Sequence, residues 1–529
     1  MLNKLIQKVT RKQNRTEEPT EINPQSSSTN DQTLLSQDLK ENLKAINSIF
    51  DNTSDLIIRE FIIGTELHVK AFAVMIAGLI NEESVNENLI RPLMSLNRDI
   101  SLESVLKVVK DSALFVASIQ EKQKLDDLVT GILSGDTALF IEGTDSALLA
   151  SIRGWEARGV DEPKTESVVR GPREGFVESL GTNTALLRRR IKNSHLKFEK
   201  MTLGKQTKTE ICIAYIDGIA NEKIVQEVKD RLTRIKTDSI LESGYIEGFI
   251  EDAPYSLFPT VGNSEKPDIV SAKLLEGRIA VLTDGTPFVL TVPYLFIEAF
   301  QNSEDYYSRP YLATCIRWLR WLAFFISTFL PALYVAITTY HPELLPTSLL
   351  ISIATASEGS PFPIIVEALL MQVAYEILRE AGLRLPKAVG QAVSIVGALV
   401  IGDAAVSAGL VGAPMVVVVA LTGISSFVVP ALTDVTTVTR FVLLILSGFA
   451  GMYGVMLGFA GFLTHQISLR SFGVPYMSPL APLSPSGLKD VFIRAPWWAM
   501  TFRPRLIGKN PTRQKKSLIP LPPNENPDN

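Results

Sequence analysis

A single carboxylate, Asp403, sits near the middle of the apolar run GALVIGDAAVSAGLVGAPMVVVV (397–419). A charge at a bilayer centre costs about 2.5–3.5 kcal/mol on insertion scales, so an acid retained there faces protein or water. At helical spacing Val396, Val400, Asp403 and Ser407 share one stripe, apolar at its start and polar at its end. A second stripe is built of small residues: Ser394, Ala398 and Gly402 recur every fourth position, as do Ala405 and Gly409. That pattern lets helices approach closely. Three chemistries compete for Asp403: a proton or ion site in a transporter, a carboxylate ring in an oligomeric pore, and a buried acid paired to another helix. Spacing leaves them open.

The run RGPREGF (170–176) sets Arg170, Arg173 and Glu174 among Gly171, Pro172 and Gly175. Two arginines on a glycine-rich turn could cradle an anion. A structural loop or subunit contact, with the arginines paired to acids, is the favoured reading. No phosphate loop, zinc-binding HExxH, CxxC pair or GxSxG elbow is present. The four histidines (His68, His195, His341, His465) are scattered, and Cys212 and Cys315 are far apart. The expectation is a non-enzyme with no metal or cofactor.

These residues sit in a chain of two characters. The first 310 residues are charged and mixed, whereas 321–464 is strongly apolar. The net charge of −4 divides just as unevenly: beyond Gln466 nine basic residues face three acids, and 11 of the 30 prolines fall there. A basic tail after apolar segments suits a cytoplasmic surface near anionic lipid, and argues against nucleic acid as a partner. Residues 1–33 are polar and read as a disordered extension.

The expected fold class is an α/β cytoplasmic N-terminal region of two subdomains, 35–160 and 161–310, followed by an α-helical polytopic membrane domain (317–465) and a basic, Pro-rich cytoplasmic tail (466–529). In the first subdomain, strands are expected at DLIIREFIIG, HVKAFAVMIAGLI, ALFIEG and ALLASIRG, with helices up to about Gln123. In the second, NEKIVQEVKDRLTRIK is an amphipathic helix opened by an Asn cap. GRIAVLTDGTPFVLTVPYLF is a hairpin turning at Asp-Gly. Spans are expected at 321–340, 388–410, 413–433 and 440–464. Arg309, Arg317 and Arg320 hold the first end inside, and four crossings return the tail there. A fifth at 362–379 would put the tail outside, but its charges suit a protein-buried or interfacial helix better.

The stretches SEGSPFPIIVEALLMQVAYEILREAGLRLPKAVGQAVSIVGALVIGDAAVSAGLVGAPMVVVVALTGISSFVVP (357–430) and RGPREGFVESLGTNTALLRRRIK (170–192) closely resemble the A subunit of the GerA-type spore germinant receptors. With the α/β-then-membrane layout, the resemblance covers about 35–500. It implies a multi-pass protein of the inner membrane of a dormant endospore, its N-terminal region cytoplasmic. Its implied partners are a transporter-like B subunit, a lipoprotein C subunit, membrane lipids and further copies of itself, expected as a pentamer. The implied function is a germinant-gated cation channel that starts germination. In that reading Val396 and Val400 form the apolar constriction, with Asp403 and Ser407 as polar lining. The alternatives are an ion-coupled secondary transporter, the A-subunit-like paralogue associated with the dipicolinate channel, and a non-conducting scaffold of the receptor.

Overall fold

The computed structural model describes residues 34–385 apart from 65–68, 97–105, 107–108, 110–115, 117, 155–162, 164–165 and 167, and residues 400–513 apart from 485–486, 505 and 511. Ser394, Val396, Ala398, the first half of the span expected at 388–410 and the N-terminal extension lie outside the described residues.

The α/β region is one plan used twice. In the first copy β1 (Leu56–Ile63) and β2 (Val69–Ile76) form a hairpin, β3 (Ile119–Lys122) is a short edge strand, and β4 (Thr137–Ile141) and β5 (Ala147–Ala150) form a second hairpin. The antiparallel sheet has the order β1-β2-β4-β5-β3. In the second copy β6 (Leu196–Leu203), β7 (Thr209–Ile216), β8 (Gly262–Ser264), β9 (Ile279–Thr283) and β10 (Val289–Val292) take the order β6-β7-β9-β10-β8, again antiparallel. The orders match strand for strand. The turns repeat as well: IAGLIN (76–81) and IDGIAN (216–221) each place a glycine, Gly78 or Gly218, at φ +76° and end on a helix-capping asparagine. Only glycine adopts that backbone at no steric cost, so the matched positions mark the repeat.

Apolar clusters cover both faces of each sheet. In the first, α1 (Leu39–Ile49) and α2 (Leu125–Leu133) bury Ile46, Leu128 and Ile132 against Phe72 and Phe140, whose rings stack at 4.5 Å. In the second, α3 (Leu180–Arg190) and α6 (Pro267–Leu275) cover one face, and α4 (Glu222–Arg234) and α5 (Ser243–Ile250) the other. Residues 119–122, expected at the end of a helical stretch, instead form edge strand β3. IQEK carries too little apolar alternation to announce a strand; pairing to β5 makes it one. The copies are joined by Arg188, fully buried on α3, which donates to both carboxylate oxygens of Asp55 at 2.9 Å.

Helices α7 (Pro310–Tyr340), α8 (Thr347–Ser357), α9 (Ile364–Arg384), α10 (Ala413–Ser426) and α11 (Thr433–Ser468) follow. The near end is fixed where Phe324, Leu432, Val435 and Phe462 pack on Phe258 and Phe296 of the α/β region. At the far end Tyr340 lies against Gly451 and donates to the Gly448 carbonyl (2.6 Å). Straight, the 36 residues of α11 would reach about 54 Å, yet Val435 and Phe462 share one cluster. The helix is a hairpin: Gly451 (φ +55°, ψ −138°) reverses it, and Gly458 backs onto Leu443. The span expected at 440–464 is therefore two antiparallel arms, each about 25–27 Å long. Periodicity could not reveal this, because the apolar pattern continues through the turn. The 413–433 segment is likewise shorter than expected, a helix to Ser426 followed by a 3₁₀ turn at Pro430–Leu432. Among the described residues two helical stretches, Pro310–Tyr340 and Pro430–Ser468, are long and apolar enough to cross a membrane by length and composition, the second being folded into the two arms just described.

The tail then returns to the second sheet. β11 (Arg470–Ser471) and β12 (Val474–Pro475) pair, and Phe472, Val474 and Ile507 enter the core beside α4 and α5.

Replacing Gly451 by Ala should lower stability by about 1–3 kcal/mol, because the new methyl meets Tyr340 in a backbone region that L-residues avoid. Thermal unfolding of the full chain in nanodiscs measures it, and an unchanged midpoint would place the turn elsewhere. On α5, burial and then the neighbouring Glu251 and Glu242 push the Glu247 carboxyl up to about 7. Between the ordinary carboxylate range and that value the folded chain holds the extra proton, so stability falls as pH rises through the window. Glu247→Gln should accordingly raise the melting temperature more at pH 8 than at pH 5; a pH-independent effect would refute the assignment.

Candidate functional site

Residues 400–407 are helical and lead through a turn into α10. Gly402 is buried, and a Cβ there would lie 3.2 Å from Val416 of α10. Ala405 packs on the cluster of Val411, Met415 and Val419, and Gly409 backs onto the Gly359 carbonyl. Val400, Asp403 and Ser407 are all exposed. Gly402 and Ala405 thus turn toward α10 and Gly409 toward the connection before α9, and the valine, acid and hydroxyl turn away from the bundle. The GLVGAP turn is pinned by Glu367 of α9, 2% exposed, which accepts from the Gly412 backbone N–H at 3.0 Å.

A second polar group is enclosed by the same helices. Arg440 of α11 is fully buried and pairs with Glu376 of α9; the other Glu376 oxygen meets Arg379 at 2.8 Å. Gln372 donates to Glu376 (3.3 Å), and Arg440 donates to the Ser327 carbonyl of α7 (3.3 Å). One carboxylate thereby holds two guanidinia, and through Arg440 the network reaches three helices. The charges of α9 were visible in the sequence; Arg440 as their partner was missed. The available signal was an arginine inside an otherwise apolar stretch, which must find an acid when buried.

The arrangement combines an enclosed ion-pair network with an outward-facing acid on a neighbouring helix, and the sequence profile of the Bacillus/Clostridium GerA spore germination protein family matches residues 44–506. The chain belongs to the GerA family. It is 48% identical over 492 residues to "Spore germination protein KA" of Bacillus subtilis, covering 92% of this chain and 90% of that one. It is 46% identical to "Uncharacterized membrane protein YfkQ" of the same organism, covering 89% and 91%. A crystal structure of the N-terminal domain of the A subunit of the Bacillus megaterium spore germinant receptor GerK3 is 38% identical, with a TM-score of 0.41, covering 50% of this chain and 98% of that one.

In this GerA-family chain the RGPREGF loop joins three parts of the α/β region. Glu174 accepts from Arg189 (3.0 Å) and Arg190 (2.8 Å) of α3. The backbone N–H groups of Val169 and Arg170 donate to Glu304, and the ring of Tyr307 closes over Gly171. Phe176 is buried, and its N–H donates to the Glu265 carbonyl at 2.7 Å. Arg170 and Arg173 are exposed at the loop surface. No group of His, Cys, Asp and Glu suited to a metal ion occurs among the described residues.

Glu376→Gln should destabilise the bundle by about 3–5 kcal/mol, because it strands two guanidinia. Pairing it with Arg440→Met should recover part of that loss. A double-mutant cycle on unfolding midpoints checks the coupling, and simple additivity of the two changes would show that the pair does not interact.

Proposed function

We propose that this chain is the A subunit of a nutrient-germinant receptor in the inner membrane of a dormant endospore, and that copies of it surround a gated cation path lined by the 388–412 helix. The observation behind this reading is the exposed stripe Val400–Asp403–Ser407, opposite a small-residue stripe that packs inward. In a lone chain that carboxylate would face lipid, at a cost of about 2.5–3.5 kcal/mol at the bilayer centre. Copies arranged around an axis give it water and ions instead. Valine rings close such a path by dewetting, and carboxylate rings draw cations to it. The names of the relatives support the germination role, and the partners in this reading are the transporter-like B subunit and the lipoprotein C subunit. The helices would span the membrane with the α/β repeats and tail on the cytoplasmic side, and the assembly would be a pentamer.

Reconstitution of this chain with its B and C subunits in liposomes tests the reading by potassium flux with and without nutrient. Val400→Ala should conduct without nutrient, and Asp403→Asn should lower the preference for potassium over chloride. A tight Val400→Ala variant would remove Val400 from the gate. No flux in the intact complex under any nutrient would leave a scaffold role.

A further inference from the structure

The two α/β repeats close their ends with different pieces of chain. In the first, Arg153 bridges to Ile80, and the Gly154 N–H donates to the Leu79 carbonyl (3.2 Å). The matching positions of the second repeat, Ala220 and Ile219, are taken by the tail. Gly508 bridges to Ala220, and the Lys509 N–H donates to the Ile219 carbonyl (2.8 Å). The second repeat therefore borrows its closing segment from 288 residues downstream of Ala220, and a space lies beside that segment.

This space is a cavity of ≈ 230 Å³ between the tail and the segments that precede β9 and follow β10. Its apolar walls include Leu295, Ile297, Leu483, Phe502, Leu506 and Ile507. Its charged lining is unbalanced: Arg278, Lys489, Arg503 and Arg513 against Glu276 and Asp490. Arg278 is 3% exposed and uses Nη1 on the Pro293 carbonyl and on Glu298. Its Nε makes no hydrogen bond among the described residues; the nearest carboxylate oxygen, on Glu276, is 3.5 Å away and belongs to a group shared with Arg513 (3.3 Å). Burial, and then the neighbouring Arg513, lowers the affinity of Arg503 for its proton. With four cationic and two anionic side chains in the lining, an anion would balance the excess positive charge.

We propose that this cavity binds a small anionic amphiphile, a carboxylate or phosphate carried on a short apolar chain or ring. The anion meets the cationic lining, and the apolar part lies along Phe502 and Leu506. Asp490 lines the cavity and also holds Arg317 at the foot of α7 (3.0 Å), so an occupant sits at the joint between the tail and the helices. The same chemistry is offered by a soluble metabolite and by the head of an anionic lipid.

Titration calorimetry of the full chain in phosphatidylcholine nanodiscs, with hexyl phosphate as the probe, tests the site. Saturable binding is expected, about tenfold tighter than for inorganic phosphate, with none for hexyltrimethylammonium. Lys489→Glu and Leu506→Trp alter exposed side chains, and each should weaken binding about fivefold or more while leaving the melting temperature unchanged. In phosphatidylglycerol nanodiscs a lipid occupant would compete the signal away, whereas a soluble occupant would leave it intact; either result keeps the site. Absence of saturable binding in phosphatidylcholine overturns the proposal, and so does equal binding by the native chain and both variants.

Discussion

One buried carboxylate carries the joint between the α/β repeats and the helices. Asp305, 2% exposed, accepts from two nitrogens of Arg317 (3.2 Å each) and from Arg320 (2.8 Å). A lone acid cannot neutralise two guanidinia, and Arg494 adds a third by donating to the Asp305 carbonyl (3.1 Å). The remaining need is met from the tail, where Asp490 pairs with Arg317, and from backbone acceptors such as the Phe300 carbonyl. Each buried cation left without its acid would cost several kcal/mol. The tail is thus held to the foot of α7 by electrostatic necessity as well as by packing. Anything that moves α7 must carry the second repeat and the tail with it, or break this cluster.

The duplicated plan explains why the tail has a place to go. A sheet of this topology needs a segment to satisfy the backbone groups beside its first helix turn. The first repeat supplies Arg153 and Gly154 from its own downstream chain, while the second takes Gly508 and Lys509. Between Ile219 and Gly508 the chain has passed through every helix of the bundle. The second sheet is therefore closed by chain that lies beyond the helices in sequence, whereas the first closes locally.

Much of the α/β region was legible because its turns are chemically explicit. Asn221 caps α4 and Gly285 turns the β9–β10 hairpin, both at the residues the sequence singles out. The repeat itself was equally written in IAGLIN and IDGIAN, but six residues inside divergent strands give weak self-similarity until the sheet orders are compared. The hairpin in α11 was not legible, since Gly451 lies in a run already rich in glycine and apolar residues. Edge strand β3 was hidden for the opposite reason: its identity comes from its neighbour β5 and hardly at all from IQEK.

The helical bundle sorts its polar side chains by whether they have a partner within the chain. Glu376 pairs with Arg379 and Arg440 across α9 and α11, and Glu367 caps the turn before α10, so these groups hold the bundle together. Moving Glu376 would leave the buried Arg440 without its acid, and moving Glu367 would strand the Gly412 N–H. Asp403 has no such tie among the described residues: it is exposed, on a helix whose opposite face is already committed to Val416 through Gly402. A residue free of such ties can change its surroundings at little cost to the fold, which is what a lining residue requires. The sequence reading left pairing, relay and ring open for Asp403. Among the described residues the acids tied into the bundle are Glu367 and Glu376, whereas Asp403 is exposed.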